Sequence, residues 1–320
     1  MRRRADDAQG IAKVSLDYGF LTDSQGGAIR TVLVLKAQPS GVIAARIVDG
    51  KGRADGGAAA WVVDQLRRLG ENRCVLQADG EPAQRTFIRE VIEEAVNLTK
   101  IGVASAHSAP HDHQSNGDVE CAIRELKAQV RVMKLALEAR VGSIALKSKV
   151  LDWLVSHAGE LLSGASVGRD GFTAVRRVRG KNWTPELIEF GELVQARRPR
   201  ALEQPAVEAR WDKAVYLGTT WGSIEHYVGM ENGSVAKVRS LRRVPAPERW
   251  SIESIIRIAG TPKEPEREAD AEHPELPPAP AEVIPFPEDE RGHQRRQVRD
   301  FKITRENIEE AVRSSKWNGR

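Results

Sequence analysis

The 320-residue sequence predicts an α/β fold, a mixed five-stranded sheet with helices on both faces, followed by a small β module. Two observations carry this expectation. Three strand patterns joined by short turns open the chain, which favours an antiparallel meander. Helical and strand periods then alternate as α-β-α-β-α, an order that lays helices against a single mixed sheet.

From residue 11 the run IAKVSLDYGFL alternates, with Val14, Leu16 and Tyr18 on one side and Asp17 on the other. Residues 23–27 make a turn, 31–37 (TVLVLKA) a second strand, Pro39-Ser40-Gly41 a hairpin turn and 42–48 a third strand. A Gly-rich stretch ends the meander. Residues 58–69 have helical periodicity and stop at Gly70, a fitting C-terminal cap. The apolar run 74–78 delivers Asp79 at its end. Residues 81–98 form a second amphipathic helix on Phe87, Val91, Ile92, Ala95 and Val96, with Pro82 in the first turn where it is tolerated. Residues 101–104 are a fifth strand. A polar loop rich in His, Pro, Ser and Asn then ends at Asn116-Gly117, and the third helix follows, with Glu120 in its first turn.

On that helix Glu120, Arg124, Lys127, Arg131 and Lys134 share an arc of roughly 80°. The neighbouring arc is apolar: Ile123, Leu126, Val130, Met133 and Leu137. A carboxylate followed by a ladder of cations has two readings. It is a solvated face with charge pairs at four-residue spacing, or an acid that holds a divalent metal while the cations steer phosphates past it.

Topology adds two more acids, Asp17 inside the first strand and Asp79 at the end of the fourth. Burying an acid in an apolar strand is costly without a compensating cation. Ends of adjacent strands converge on one crevice, and carboxylates meeting there repel unless a divalent ion neutralises them. Hard oxygen ligands suit Mg²⁺ or Mn²⁺. Singly, Asp17 reads as an edge-strand residue, Asp79 as a turn former before Gly80 and Glu120 as helix surface.

Hydrophobic residues make up 40% and charged residues 29% of the chain, ordinary values for a soluble globular protein. Net charge is +4, and it is unevenly spread. Residues 169–200 hold eight basic side chains, among them Arg176, Arg177, Arg179 and Lys181, against four acidic ones. Such a segment suits a phosphate backbone. Cys74 and Cys121 have no paired spacing and read as free thiols in a reducing compartment. No apolar run is long enough to span a membrane, and MRRRADDAQG lacks the apolar stretch of a secretory signal. An intracellular protein, in nucleus or cytoplasm, is expected.

Asp17 in VSLDYGFL, Asp79 in LQADGEPAQ and Glu120 in SAPHDHQSNGDVE together resemble the D, D, E catalytic core of retroviral and retrotransposon integrases. The match is strongest at Ser108-Ala109-Pro110 and Gln114-Ser115-Asn116-Gly117 before Glu120, which is similar to the loop and helix start of Copia- and Gypsy-type LTR retrotransposons. After the core, DGFT at 170–173, FGELV at 190–194 and WDKAVYLG at 211–218 also resemble these Pol polyproteins. The resemblance implies a ribonuclease H-like fold and a metal-dependent polynucleotidyl transferase that trims DNA ends and joins them to target DNA. It further implies a two-ion Mg²⁺ or Mn²⁺ site on Asp17, Asp79 and Glu120, DNA contacts from Asn116, Arg124, Lys127 and Arg131, and a homo-oligomer. Two departures stand out. Forty residues separate Asp79 from Glu120, more than is common in retroviral enzymes, and the His and Cys pairs of the family's zinc-binding N-terminal domain are absent. His107, His111 and His113 have no cysteine partners at zinc spacing and read as loop residues.

The expected organisation is a tail over 1–10, a catalytic core over 11–165, a basic connector over 166–205, a small barrel-like β module over 206–250, a Pro/Glu-rich disordered linker over 251–298 and a possible terminal helix over 299–320. Within the core, residues 151–162 read as a closing helix, with Trp153 for packing and His157 at the surface. Two alternatives compete with the integrase reading. One is a catalytically inactive retroelement remnant that only binds nucleic acid. The other is a simple ribonuclease H-type nuclease, against which the NG..E loop and the C-terminal module argue.

Overall fold

The computed structural model describes residues 11–22, 29–52, 55–79, 81–107, 113–184, 186, 188–197, 209–223 and 225–269, with backbone alone for 107 and 113–116. The expected tail, the first turn, the Ser108-Ala109-Pro110 loop, the terminal helix and the linker from residue 270 lie outside these.

Strands β1 (Ala12–Thr22), β2 (Ile29–Gln38) and β3 (Ile43–Val48) form the antiparallel meander. Helix α1 (Ala58–Leu69) leads to β4 (Arg73–Ala78), which pairs parallel with β1. Helix α2 (Pro82–Leu98) leads to β5 (Gly102–His107), parallel with β4. The resulting order, β3-β2-β1-β4-β5, is that of a ribonuclease H-like sheet.

Strand alternation divides the core between two faces. Val14, Leu16, Tyr18, Leu33 and Leu35 point to one face and pack with Val62 and Leu66 of α1 and Phe87, Ile88 and Val91 of α2. Val32, Val34, Ile43 and Ala45 point to the other. There they meet Val119, Leu126 and Val130 of α3 (His113–Val141) and Leu151, Leu154 and Val155 of α4 (Val150–Ala165). Close approach of α4 to β3 depends on Gly159, where a Cβ would stand 3.2 Å from the Ala45 nitrogen. One turn on, buried Ser163 accepts from Ile43 N–H and donates to Ile43 O, both at 2.8 Å.

Helix α3 begins at His113, before the Asn116-Gly117 pair, so Glu120 lies two turns into the helix instead of in its first turn. A single glycine costs a helix interior about 1 kcal/mol. That is too little to break a 29-residue helix whose apolar stripe is buried.

The stretch expected as a connector is largely built into the fold. Ala174 and Val175 of α5 (Ala174–Arg179) are buried in the first core. Residues 193–197 are strand β6 (Leu193–Arg197) of a second sheet. With β7 (Trp211–Thr219), β8 (His226–Gly229), β9 (Val235–Val238) and β10 (Leu241–Arg243) it makes an antiparallel sheet in the order β10-β6-β7-β8-β9. Among the described residues β9 and β10 are open edges, which makes the module a sheet and not a closed barrel. Valine and leucine side chains of β7 share a core with α4, so the two sheets are continuous through that helix. Residues 251–269, expected in the disordered linker, include α6 (Ile252–Ile256), whose Ile255 is fully buried.

Candidate active site

Parallel pairing of β1 with β4 aligns Ser15 with Gln77. Two residues further along each strand stand Asp17 and Asp79, which brings both acids to the C-terminal end of β4, each in the other's field. Asp17 is half-buried and Asp79 is exposed. Asp17 shares its strand face with Ser15 and Gly19, opposite the apolar set Val14, Leu16 and Tyr18.

One side chain links the two acids. Gln84, in the first turn of α2 and 3% exposed, donates from Nε2 to Asp17 Oδ1 at 2.9 Å and accepts the Asp79 backbone N–H at Oε1 at 2.8 Å. Tyr18 N–H also donates to Asp17 Oδ1, at 2.7 Å. Burial pushes the Asp17 carboxyl above its ordinary value; the Tyr18 and Gln84 hydrogen bonds oppose this, Asp79 adds to it and Lys51 draws it back. Lys51 pairs with Glu81 at 2.9 Å and stands 5.7 Å over the ring of Phe20. Gln84 and Lys51 went unread in the sequence. A signal existed for the first: Gln84 is the polar member of the stripe Gln84, Phe87, Ile88, Val91, Ala95 that α2 buries.

Helix α3 runs along β1 in the same direction. Asp118 accepts from Gln38, whose strand partner is Lys13, while Ile123 and Lys127 reach Gly19. Glu120 is on the stripe of Ile123 and Lys127, on the flank of α3 toward β1, and its side chain is exposed. Among the described residues no group of three or more His, Cys, Asp or Glu side chains is placed to hold a metal. The acidic pair does fit a hard cation. Mg²⁺ is commonly held by one or two carboxylates, with water and substrate phosphate supplying the remaining oxygens, and no described residue donates to Asp17 Oδ2.

The cations divide into two sets. Arg124 and Arg131 are exposed and Lys127 is half-buried along α3. Arg124 donates to Cys121 Sγ at 2.8 Å, and Lys134 pairs with Glu138 at 2.5 Å. In α5, Arg177 is held by Asp170 at 2.6 Å and by the Ser40 carbonyl at 2.8 Å, and Arg179 donates to the Trp221 carbonyl. These two cations brace the fold. Arg176 is exposed with its guanidinium 4.3 Å over Phe172, and Lys181 is exposed beyond the helix. The side chain of Asn116 lies outside the described residues, as do His111 and the side chains of His107 and His113. Cys74 is buried and Cys121 half-buried, both as free thiols, and burial pushes the Cys74 thiol up to about 11.

No helix among the described residues is long and apolar enough to cross a membrane. No family model and no curated protein matches the chain. Among solved structures it is similar to a chain of the simian T-cell lymphotropic virus intasome in complex with PP2A regulatory subunit B56 gamma, at 13% identity and a TM-score of 0.42 over 73% of this chain and 79% of that one. It is similar to the catalytic core domain of BIV integrase at 17% identity and a TM-score of 0.37, covering 52% of this chain and 92% of that one. It is also similar to the HTLV-2 integrase catalytic core domain in complex with magnesium, in a trimeric form, at 15% identity and a TM-score of 0.38, covering 52% and 95%. The ribonuclease H-like assignment itself rests on strand order and pairing direction.

Proposed function

We propose that the chain is an integrase-type polynucleotidyl transferase of the LTR-retrotransposon kind, which cleaves DNA ends and transfers them into target DNA. The observation that supports this most is the placement of Asp17 on β1 and Asp79 just past β4, two residues beyond the last paired positions of these parallel strands, joined through Gln84. Mg²⁺ or Mn²⁺ bound there supplies charge neutralisation at a scissile phosphate and an acidified attacking hydroxyl.

The chain's own groups do the rest. Asp17 and Asp79 would hold a cation, and Glu120 would add its carboxylate from α3 on moving toward them as the two-ion site forms with DNA. Arg124, Lys127 and Arg131 line the phosphates of the bound strand, with Arg176 and Lys181 extending the track and Asn116 ordering the approach to Glu120. In-line displacement by water trims an element end, and displacement by a 3′-hydroxyl joins that end to target. Handling two ends at once calls for a homo-oligomer, and a DNA substrate calls for an intracellular site, nucleus or cytoplasm.

A binding-only remnant is the second reading. It is favoured by the lack of a three-carboxylate group among the described residues. A nicking and strand-transfer assay in Mg²⁺ or Mn²⁺, run beside Asp79→Asn, separates the two. Activity that Asp79→Asn abolishes upholds the transferase; DNA binding without turnover in both proteins refutes it and leaves the remnant.

A further inference from the structure

We infer that Gln84 is the positioning residue of the acidic pair: its amide settles which oxygen of Asp17 is left for a cation and fixes that carboxylate to the end of β4. The inference rests on the transferase reading of this site.

Gln84 sits where α2 otherwise buries Phe87, Ile88 and Val91. An amide at such a position costs several kcal/mol unless both its ends are hydrogen-bonded, and both are. The orientation of the amide is forced. Asp79 N–H can only donate, so it must meet Oε1; Nε2 then faces Asp17, which must accept. Tyr18 N–H lands on the same oxygen. Two donors therefore occupy Oδ1, while no described residue donates to Oδ2.

The consequence is geometric. A free aspartate rotates about χ2 and offers either oxygen. Asp17 is pinned with Oδ1 held by the protein and Oδ2 without a donor among the described residues. Because the same amide holds the first backbone N–H past β4, a shift of that strand end moves both acids together. Outer hydrogen bonds of this kind orient ligating carboxylates, and their loss typically weakens metal affinity by 10–100-fold.

Mn²⁺ affinity of the full chain, read as free Mn²⁺ by electron paramagnetic resonance without DNA, tests this. The wild type, Asp17→Asn, Gln84→Met and Gln84→Asn are compared, with circular dichroism as the check on folding. Met fills the same volume without hydrogen bonds; Asn carries the same groups one methylene short. Expected are Asp17-dependent Mn²⁺ binding in the wild type and affinity about tenfold or more weaker in both Gln84 variants with native dichroism. Unchanged affinity in the Gln84 variants overturns the inference and leaves the transferase reading standing. Loss of native dichroism in both makes Gln84 a purely structural residue and also overturns it. Absence of Asp17-dependent binding in the wild type removes the transferase reading and the inference with it.

Discussion

Asp17 of β1 and Asp79, the residue that follows β4, stand two places past the paired Ser15 and Gln77. Burial above all, and the Asp79 charge in the same direction, raise the Asp17 carboxyl above the value it has in the unfolded chain. The folded state therefore holds its proton more tightly. Its contribution to stability is full below the unfolded value and is lost as pH rises through the folded one. At neutral pH, Asp17→Asn should melt higher than the wild type by a few degrees, for a gain of about 1 kcal/mol or less, since a partly solvated site is screened. Mg²⁺ or Mn²⁺ should raise the wild-type melting temperature and leave that of Asp17→Asn unmoved. Thermal melts at pH 4 and pH 7, with and without the ion, check both statements.

His157 gives the opposite pH dependence. It is 6% exposed, packed 6.1 Å from the rings of both Phe190 and Tyr216, with Nδ1 lacking a hydrogen-bond partner among the described residues. Burial holds it down to about 4, against 6.5 for a free imidazole. Between those values the unfolded chain binds the extra proton, so stability falls as pH drops from 6.5 toward 4. The loss is about 3 kcal/mol from this residue, at ~1.4 kcal/mol per pH unit. His157→Leu should flatten that part of the stability–pH curve measured by urea unfolding.

Glu192 is wholly buried and takes Arg243 in a two-bond fork at 2.7 and 2.6 Å, with Arg249 Nε at 3.4 Å. The fork closes β10 onto β6, and Arg249 ties in the short 3-10 turn Ala246–Glu248 that follows. Glu192→Ala strands two guanidinium groups, one of them more than a third exposed. A loss of about 3 kcal/mol is expected, at the lower end of the range for breaking a buried pair. The double variant Glu192→Leu with Arg243→Met should recover part of it. Urea unfolding followed by tryptophan fluorescence reads both.

Most of the first sheet was legible because strand alternation and helical period are local signals. Val14, Leu16 and Tyr18 fall on one face and Asp17 on the other, and α1 spans residues 58–69 and stops at Gly70 as its cap. What escaped was set by tertiary packing. Residues 193–197 carry too short an apolar run to announce a strand, and only pairing with β7 and β10 makes them one. His157 was read as surface because a polar residue on a helix usually is, whereas α4 is covered on a second side by β7. Gln84 is hidden for the complementary reason: the apolar members of α2 define its period, and the hydrogen bonds of a polar side chain within that stripe are tertiary. At the site, the positions of Asp17 and Asp79 follow from the parallel direction of β1 and β4, while that of Glu120 depends on a helix that begins a turn earlier than its sequence suggests.

The two sets of cations lead to a prediction that separates contact from scaffold. If Arg124 and Lys127 meet DNA phosphates, each alanine variant should weaken binding evenly across sequences. It should also reduce the slope of log K against log salt concentration by about one, because one condensed counterion fewer is released per lost contact. Arg177 behaves differently, since its guanidinium is already spent on Asp170 and on the Ser40 and Phe172 carbonyls. Arg177→Ala should lower stability through the lost bonds to the Ser40 and Phe172 carbonyls, and leave the salt slope alone. Fluorescence anisotropy with a labelled duplex over a series of salt concentrations measures the slope, and urea unfolding measures the stability. A changed slope for Arg177→Ala would put α5 on the DNA, and an unchanged slope for Arg124→Ala and Lys127→Ala would take α3 off it.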